Sequence, residues 1–364
     1  MEIQAAVVTF RGAAFRPEMI RLDEPRADEV RVAVRAAGIC HTDLGFADLD
    51  APGAHPAVFG HEGAGVVEAV GSAVHGIAPG DRVLMSYDSC GFCGTCRGGR
   101  PFYCDHFGRL NFAGQRRDGS TALSRADGEA VRSHFFGQSS HANYANVRAR
   151  ALVPLPHDVP FQLAAPLACG IQTGAGAVLN VLRAKPQSHL AIAGLGGVGL
   201  GAVMAAALAG VGRVIAIDPV AVRRSLALDL GAHIALDPAA ASFGEDLAAA
   251  AGALDYAFDT SGRQDTVTAC FNALAAGGEL VTVAAPNPPT WSFNALRLLD
   301  GRRVRGIVMG EAIPQNFLPY LVEQWHAGRL PVEKIVTTFP LDHVESAVAA
   351  TRNRDVIKPV LTCP

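Results

Sequence analysis

The N-terminal part of the chain alternates apolar and polar positions in short runs separated by turn residues. The alternation spans residues 3–38, where E-V-R-V-A-V-R-A-A-G-I is its clearest stretch, and it continues in Val66–Val70 and Arg82–Met85. A period of two predicts β-strands, because successive side chains of a strand point to opposite faces. We therefore expect an antiparallel, partly closed β region at this end of the chain.

The second half of the chain alternates between strand and helix patterns, which predicts a doubly wound α/β domain with a parallel sheet. The predicted elements are strand His189–Ala193, a helix of small residues, strand Val214–Ile217, helix 220–230, strand 233–236, strand 254–259, helix 264–276 and strand 279–284. The uncharged stretch 190–212 fits a buried strand, turn and helix better than a membrane span. Helices and strands within 317–362 are expected to return to the first domain.

A glycine-rich turn follows the first of these strands and satisfies G-x-G-x-x-G with one additional glycine. Its members are Gly194, Gly196, Gly197 and Gly199. Strand, glycine turn and helix, with Asp218 ending the next strand, form the dinucleotide-binding fingerprint, in which backbone N–H groups approach a pyrophosphate. Asp218 would bind a ribose 2′-OH and repel a 2′-phosphate, which favours NAD over NADP. Arg223 and Arg224 could offset that repulsion.

Eight cysteines occur, and four of them are clustered as Cys90, Cys93, Cys96 and Cys104. The spacing C-x2-C-x2-C-x7-C suits a closed tetrahedral zinc site, which is structural because no coordination position stays open. Two alternatives remain. An iron–sulfur run normally has a shorter last spacing and ends in Cys-Pro, whereas Asp105 follows Cys104 here. A nucleic-acid zinc ribbon is disfavoured by the near-neutral surroundings.

A second group of potential metal ligands and polar neighbours lies in one short stretch, as Cys40, Thr42, His61 and Glu62. A thiolate and an imidazole are typical ligands of a catalytic zinc, which takes three protein ligands and keeps one position open. Two ligands lie here, so we expect a third elsewhere in the chain. Cys169, in a stretch of small residues, is the candidate.

Together these motifs resemble the zinc-dependent medium-chain alcohol dehydrogenases, over essentially the whole chain and in family order. The string F-F-G-Q-S-S at 135–140 is most similar to the aryl or benzyl alcohol dehydrogenase branch. The resemblance implies an α/β protein with a GroES-like β-rich catalytic domain and a doubly wound Rossmann cofactor domain. The expected ranges are 1–168 for the catalytic domain, with a structural zinc lobe at about 90–104, 169–310 for the cofactor domain, and 311–364 for the return.

The resemblance also implies cofactors and residue roles: NAD and two zinc ions per chain, one catalytic and one structural. The catalytic zinc would be held by Cys40, His61 and Cys169, and the structural zinc by the four clustered cysteines. Asp43 and Glu62 would support the ligands from behind, and Thr42 would be the first proton acceptor. Cofactor contacts are implied for His41, Thr173, Gly194, Gly196, Gly197, Val198, Gly199, Asp218 and Arg223.

Two positions depart from the family pattern. Gly45 stands where liver-type relatives place a relay histidine, so the proton must leave by another route, through water or His41. His41 itself stands where many relatives place an arginine on the pyrophosphate. Because histidine titrates near pH 6.5, we expect weaker and pH-dependent cofactor binding.

Composition excludes several classes of function. The net charge is -3, with acids and bases interspersed and no basic stripe, so we expect neither nucleic acid nor a membrane as a partner. The first ten residues lack the pattern of a secretory signal, and clustered cysteines favour metal over disulfides, which predicts a cytoplasmic protein. The family forms dimers and tetramers, which implies a homodimer or homotetramer.

The predicted function is zinc-dependent interconversion of a primary aryl or allylic alcohol and its aldehyde, with hydride transfer to NAD. Two alternatives stay open, a thiol-dependent formaldehyde dehydrogenase of the same superfamily and a non-catalytic zinc- and nucleotide-binding module. Residues 105–146 are interpreted as a long surface excursion with a return strand. Candidate walls of the substrate pocket are Ser86, Tyr87, Phe112 and Met309.

Overall fold

The computed structural model describes residues 1–51, 53–286 and 288–364. Its elements are numbered here in chain order. The strands are β1 (Glu2–Val8), β2 (Arg16–Leu22), β3 (Glu29–Gly38), β4 (Ala57–Val58), β5 (Glu62–Val70), β6 (Arg82–Met85), β7 (Leu123–Ser124), β8 (Ala130–Val131), β9 (Tyr144–Arg148), β10 (Leu152–Pro154), β11 (His189–Ala193), β12 (Arg213–Ile217), β13 (Ile234–Leu236), β14 (Leu254–Asp259), β15 (Leu274–Thr282), β16 (Arg303–Gly306), β17 (Val336–Pro340) and β18 (Lys358–Thr362). The α-helices are α1 (His41–Ala47), α2 (Gly94–Arg97), α3 (Phe107–Asn111), α4 (Phe161–Ala164), α5 (Gly170–Gly176), α6 (Gly197–Leu208), α7 (Ala221–Asp229), α8 (Phe243–Ala251), α9 (Gln264–Ala273), α10 (Pro314–His326) and α11 (Val344–Arg352).

The chain divides into two compact units, judged by their internal contacts. The first unit comprises residues 1–169, 313–323 and 332–364, and the second unit comprises residues 170–312 and 324–331. Cys169, the predicted third zinc ligand, is therefore part of the first unit, and the glycine-rich turn is part of the second. The ranges inferred from the sequence stay a prediction.

The first unit contains two mainly antiparallel sheets. One has the strand order β4-β1-β2-β7-β8, and the other has the order β10-β6-β5-β3-β18-β17, with β9 also paired to β3. In the second sheet Gly38 of β3 lies opposite both Glu62 of β5 and Val360 of β18. This register brings the end of β3, the start of β5 and the C-terminal strand together, and the candidate active site is built there.

Strand β3 is buried along nearly its whole length, although its alternation predicts one exposed face. The physical reason is ion pairing. The side chain of Glu29 receives two hydrogen bonds from Arg116, at 2.8 and 2.9 Å, and Arg31 lies 3.0 Å from Glu24. Paired charges can be buried where single ones cannot, so polar positions of this strand do not mark a solvent face.

The second unit is a six-stranded parallel sheet with helices connecting its strands, in the order β13-β12-β11-β14-β15-β16. Counted within the unit this is the order 3-2-1-4-5-6, and the direction of winding reverses between β11 and β14. Strand β11 has the predicted bounds, His189–Ala193. Helix α9 ends at Ala273, three residues earlier than predicted, and the chain continues as β15, in which Gly277 has φ +76°.

The interpretation of residues 105–146 as a surface excursion with a return strand is only partly confirmed, because 126–130 are exposed and β9 is the return strand, whereas other parts are buried. Asn111, His134, Phe135, Phe136 and Gln138 of this region are buried. In the described ranges no single helix is long and apolar enough to cross a membrane. The helical segments 161–168 and 170–182 reach the required length and apolar composition only when they are counted together.

Candidate active site and metal centres

Four potential metal ligands converge in the first unit. Cys40 lies between β3 and α1, His61 and Glu62 lie at the start of β5, and Cys169 ends the first segment of the unit. The ligand atoms of these four residues all lie within 4.8 Å of one another. The structure thus brings together the three residues predicted to bind a catalytic zinc, with Glu62 beside them.

His61 is oriented by a carboxylate. The Nδ1 atom of His61 lies 2.8 Å from Oδ1 of Asp43, and Asp43 also accepts hydrogen bonds from the backbone N–H groups of Cys40 and Gly60, at 2.8 and 3.0 Å. Burial lowers the pKa of His61, but the Asp43 carboxylate outweighs it and holds that pKa well above the ordinary value. The second ring nitrogen, Nε2, is buried and has no nitrogen or oxygen partner in the described part of the chain. A buried imidazole held through one nitrogen with the other unused is the arrangement of a metal ligand.

The two thiols of the site interact with each other, and the interaction shifts their pKa values in opposite directions. A hydrogen bond from Cys169 lowers the pKa of Cys40 well below its ordinary value, and the same contact raises the pKa of Cys169. A cysteine binds zinc as the thiolate, so metal binding releases the proton that remains on the two thiols. The donor set of two sulfurs and one imidazole nitrogen fits a catalytic zinc site.

Glu62 is paired with a lysine that the sequence did not indicate. Both carboxylate oxygens of Glu62 lie 2.9 Å from Nζ of Lys358 in β18, and both side chains are buried. Burial lowers the pKa of Lys358, but the Glu62 carboxylate outweighs it and raises that pKa above its ordinary value. Lys358 also donates to the carbonyl oxygen of Ile39, directly before Cys40. The pair therefore joins β5, β18 and the loop that carries the first thiol ligand.

The clustered cysteines form a separate buried group in the first unit. The Sγ atoms of Cys90 and Cys96 are 3.8 Å apart, and those of Cys93 and Cys104 are 4.0 Å apart. A disulfide needs about 2.05 Å, whereas a tetrahedral zinc with Zn–S bonds of about 2.3 Å gives sulfur separations of about 3.8 Å. Backbone N–H groups donate to the sulfurs of Cys90, Cys93 and Cys104, which suits thiolates. This group fits a structural zinc.

A short segment, residues 134–139, covers His61, although the predicted site residues do not include it. The ring of Phe136 stacks on the imidazole of His61, with centroids 4.4 Å apart. The buried amide of Gln138 accepts from the N–H of Gly63 at 3.1 Å and lies 3.1 Å from the carbonyl oxygens of His61 and Met85. Gln138 thus connects the start of β5 to the end of β6. The string F-F-G-Q-S-S was the available signal, but it indicated a family branch and no contact.

An aromatic cavity of about 240 Å³ lies beside this segment, entirely within the first unit. Its walls include Phe46, Leu49, Phe59, Phe112, Phe135 and Arg132. Phe135 connects it to the metal site, because its ring centroid lies 5.7 Å from that of His61 and 5.1 Å from that of Phe46. Of the four predicted wall residues, Phe112 lines this cavity, whereas Ser86 is buried and donates to the carbonyl oxygen of Ala168.

The remaining predicted cofactor contacts, His41 apart, lie in the second unit. A Cβ added to Gly199 would collide with the carbonyl oxygen of Gly194, whereas one added to Gly196 would meet no protein atom within 4 Å. Gly199 is therefore needed for tight packing. Gly196 leaves open space beside the N-terminus of α6, where a pyrophosphate is bound in such folds. The carboxylate of Asp218 accepts from the N–H groups of Leu195 and Val220, both at 2.8 Å.

Other predicted contacts are placed as follows. Gly197 and Val198 lie in the first turn of α6, Thr173 is buried in α5, and Arg223 lies in α7. His41 is the first residue of α1 and is exposed. Thr42 follows it, with its Oγ1 3.7 Å from the Sγ atom of Cys40.

Comparison with known proteins gives matches over the whole chain. The family model described as the alcohol dehydrogenase GroES-like domain matches residues 26–157, and the one described as zinc-binding dehydrogenase matches residues 197–324. The geraniol dehydrogenase of Castellaniella defragrans is 42% identical over 98% of this chain and 97% of its own length. A protein from Burkholderia ambifaria described as an alcohol dehydrogenase zinc-binding domain protein has a TM-score of 0.96 at 43% identity, covering 100% of this chain and 99% of its own. The benzyl alcohol dehydrogenase of Acinetobacter calcoaceticus has a TM-score of 0.95 at 36% identity, covering 100% of both chains. These matches confirm the predicted fold class.

Proposed function

The chain belongs to the zinc-dependent medium-chain alcohol dehydrogenase family, and we propose that it oxidises a primary aryl or allylic alcohol to the aldehyde, with NAD as the hydride acceptor. The observation that carries the proposal is the position of the ligand set Cys40, His61 and Cys169. The ring of Phe135 contacts His61 of this set and also lines the aromatic cavity. Two similar proteins bear the names geraniol dehydrogenase and benzyl alcohol dehydrogenase. Geraniol is an allylic alcohol, and benzyl alcohol is an aromatic one.

In this proposal Cys40, His61 and Cys169 hold the catalytic zinc, and the four clustered cysteines hold the structural one. A bound zinc supplies an electrophile that polarises the alcohol oxygen and lowers its pKa. Asp43 fixes the ring of His61, and Lys358 keeps the carboxylate of Glu62 directed beside the ligands. These residues position the site before any substrate binds.

Thr42 receives the proton of the substrate hydroxyl. Its side chain lies beside the sulfur of Cys40 and is half-buried, so it is within reach of a substrate oxygen at the metal site. Gly45 offers no side chain for a further transfer along α1, and the proton therefore leaves through water or His41. Phe46 is one helical turn beyond Thr42 and projects from the same face of α1. The apolar body of the substrate would accordingly extend from Thr42 into the aromatic cavity.

The cofactor is held by the second unit. The pyrophosphate would lie at the N-terminus of α6 beside the open space at Gly196, and Asp218 would bind the adenosine ribose. The two backbone hydrogen bonds to Asp218 fix its carboxylate, and a fixed negative charge disfavours a 2′-phosphate. Thr173, Val198 and Arg223 would complete the contacts, and NAD is the preferred cofactor.

The chain would assemble into a homodimer, or a homotetramer built from such dimers, through the second unit. Strand β16 is the last strand of its sheet, and an exposed edge strand readily pairs with another chain. Directly before it, Leu296 and Leu299 are 74% and 82% exposed. Light scattering should show that Leu299→Lys shifts the protein to a smaller assembly, whereas Val222→Lys, an equally exposed change on α7, should not. A monomeric parent protein would exclude the assembly.

The test of the function is reduced-nicotinamide formation by zinc-replete protein supplied with NAD or NADP. Benzyl alcohol, geraniol, ethanol and a formaldehyde–glutathione mixture are compared in parallel. We expect NAD reduction with benzyl alcohol or geraniol, and loss of that activity in Cys40→Ser. Activity with the glutathione adduct alone would assign the thiol-dependent formaldehyde reaction instead. NAD binding without turnover of any substrate would favour the non-catalytic alternative.

A further inference from the structure

One wall of the aromatic cavity carries a positive charge. Arg132 follows β8 and is half-buried, and its guanidinium is held by two hydrogen bonds. Its Nε donates to the carbonyl oxygen of Gly53 at 2.6 Å, and its Nη1 donates to Oε1 of Gln115 at 2.8 Å. These contacts fix the guanidinium at the cavity wall.

The surrounding backbone leaves room for this side chain. Gly53 and Gly114 both have left-handed φ angles, +70° and +63°. A Cβ on Gly53 would lie 2.9 Å from Nη2 of Arg132, and one on Gly114 would lie 3.2 Å from the arginine Cβ. Two glycines thus flank the arginine where a larger residue would press against it.

Arg132 forms no ion pair within residues 1–51, 53–286 and 288–364, in contrast to two buried or half-buried arginines of the same unit. Arg116 is paired with Glu29 and Arg148 with Asp88, both at 2.8 Å. Both partners of Arg132 are neutral oxygens. A guanidinium prefers a carboxylate, to which it can give two parallel hydrogen bonds. The cavity therefore offers a cation whose best acceptor would be part of a ligand.

The size of the cavity leaves space for such a group. A cavity of about 150 Å³ is enough to bind benzene in an apolar protein core, and this one measures about 240 Å³. An unsubstituted benzyl ring would leave part of it unfilled. A ring bearing a further group could occupy the apolar walls and still reach the arginine.

We propose that Arg132 is a specificity-determining residue, which binds an acceptor oxygen carried by the substrate away from its reacting hydroxyl. A carboxylate is the best such group. The preferred substrates are then primary alcohols with an aromatic or allylic body and a distal carboxylate. This inference rests on the proposed oxidation of aryl or allylic alcohols, and it adds the polar end of the substrate.

The experiment compares 4-(hydroxymethyl)benzoate with benzyl alcohol, which differ only in the distal carboxylate. The ratio of their kcat/KM values is measured for the parent protein, Arg132→Met, Arg132→Lys and Arg109→Met. Arg109 is an exposed arginine of the same unit that donates to the backbone carbonyl of Arg117 and does not line the cavity. Using a ratio cancels any general loosening of the loop that Arg132 holds through Gly53.

A hydrogen-bonded charge pair of this kind raises the kcat/KM of the substrate that forms it by about 10- to 100-fold. We expect Arg132→Met to lower the ratio by that factor, Arg132→Lys to restore part of it, and Arg109→Met to leave it unchanged. An equal ratio in the parent and in Arg132→Met would overturn the proposal and leave Arg132 as a support of the Gly53 loop.

Calorimetric binding of 4-(hydroxymethyl)benzoate to the zinc-loaded protein separates this inference from the proposed function. If neither alcohol is oxidised, the proposed oxidation fails, yet weaker binding of the carboxylated alcohol to Arg132→Met than to the parent would still support the subsite. Equal dissociation constants in the parent and Arg132→Met would refute it whether or not turnover is seen.

Discussion

Replacing Arg116 with methionine should destabilise the first unit, because it leaves a buried carboxylate without its main partner. Arg116 and Glu29 have side chains that are each only 4% exposed, and they are joined by two hydrogen bonds of 2.8 and 2.9 Å. Removing one member of a buried ion pair typically costs about 3–5 kcal/mol. The second carboxylate partner of Arg116, Asp23, is 56% exposed and adds at most about 1 kcal/mol.

The expected loss of unfolding free energy in Arg116→Met lies at the lower end of the range for a broken buried ion pair. After the change Glu29 still accepts from the backbone N–H of Arg26 at 2.9 Å, and His134 stays 3.1 Å away. We therefore expect about 3 kcal/mol, which corresponds to roughly 100-fold faster amide exchange if each factor of ten is about 1.36 kcal/mol. Hydrogen exchange read by mass spectrometry over residues 134–141 is the assay, because the amides of 137–141 are hydrogen-bonded and both tryptophans lie outside this unit.

The adjacent residue provides the control. Arg117 is exposed, and its guanidinium lies over the ring of Phe92 at 5.9 Å. Arg117→Met should change exchange by no more than about twofold, as surface substitutions do. The double variant Glu29→Leu with Arg116→Met should recover much of the loss, because no unpaired charge remains. Equal exchange in Arg116→Met and Arg117→Met would refute the reasoning.

The contribution of Glu29 to stability also has a defined pH dependence. Burial raises the pKa of Glu29, but hydrogen bonds from His134 and Arg116 outweigh it and hold that pKa well below its ordinary value of 4.5. A lowered pKa gives stability that is fully present above the ordinary value and is lost as the pH falls towards the lower one. The difference between the parent and Arg116→Met should therefore be constant near neutrality and shrink below about pH 4.5. A difference that grows on acidification would contradict this assignment.

Four further changes test the site. Lys358→Met leaves the buried carboxylate of Glu62 unpaired and should cost about 3–5 kcal/mol in thermal unfolding; Lys358→Arg should lose less, and equal losses would mean that the charge is unimportant. Gln138→Leu leaves buried backbone groups unpaired and should cost about 1–3 kcal/mol, whereas Gln138→Glu, which keeps the acceptor for Gly63 but turns a buried carboxylate towards the carbonyl oxygens of His61 and Met85, should cost more in the same unfolding measurement. Asp218→Ser should raise the kcat/KM for NADP relative to NAD by about tenfold, or about 1.4 kcal/mol, and an unchanged ratio would remove Asp218 from cofactor selection. Cys93→Ser should lower the zinc content from two ions to one per chain in metal analysis, with local loss of exchange protection around the cysteines, and two retained ions would exclude the structural site.

Two parts of the site could be predicted from the sequence because their chemistry is local, whereas the link from Cys40 and His61 to the distant Cys169 depended on the number of ligands that a catalytic zinc needs and on the family resemblance. The four clustered cysteines lie within one short loop region, so their spacing alone limits the geometry that they can adopt. The glycine-rich turn is likewise fixed by β11, the next helix and Asp218, all in one βαβ unit. In both cases the residues that act together are also neighbours in the chain, and a pattern can represent them.

The segment that covers His61 could not be predicted in the same way. His134, Phe136 and Ser139 have positive φ angles of 59°, 51° and 54°, so the backbone here has neither the period of a strand nor that of a helix. Periodicity is what distinguishes a buried face from an exposed one in a sequence. Without it, a mixed order of aromatic and polar residues predicts a surface segment. The strained conformation is held by buried contacts such as the hydrogen bond from Ser139 Oγ to the carbonyl oxygen of Val58 at 2.6 Å, and these become visible only in the folded chain.

Lys358 shows why the charge partner of Glu62 requires the tertiary structure. The two residues are 296 positions apart, and their contact depends on the register in which β18 pairs with β3 and β3 pairs with β5. Lys358 is two positions before Val360, and side chains two apart in a strand share a face. A slip of β18 by one residue would turn the lysine to the opposite face and leave Glu62 unpaired. The C-terminal strand therefore sets the electrostatics of the metal site although it supplies none of the predicted ligands, and a substitution that disturbs its pairing should affect zinc binding as much as the loss of the lysine itself.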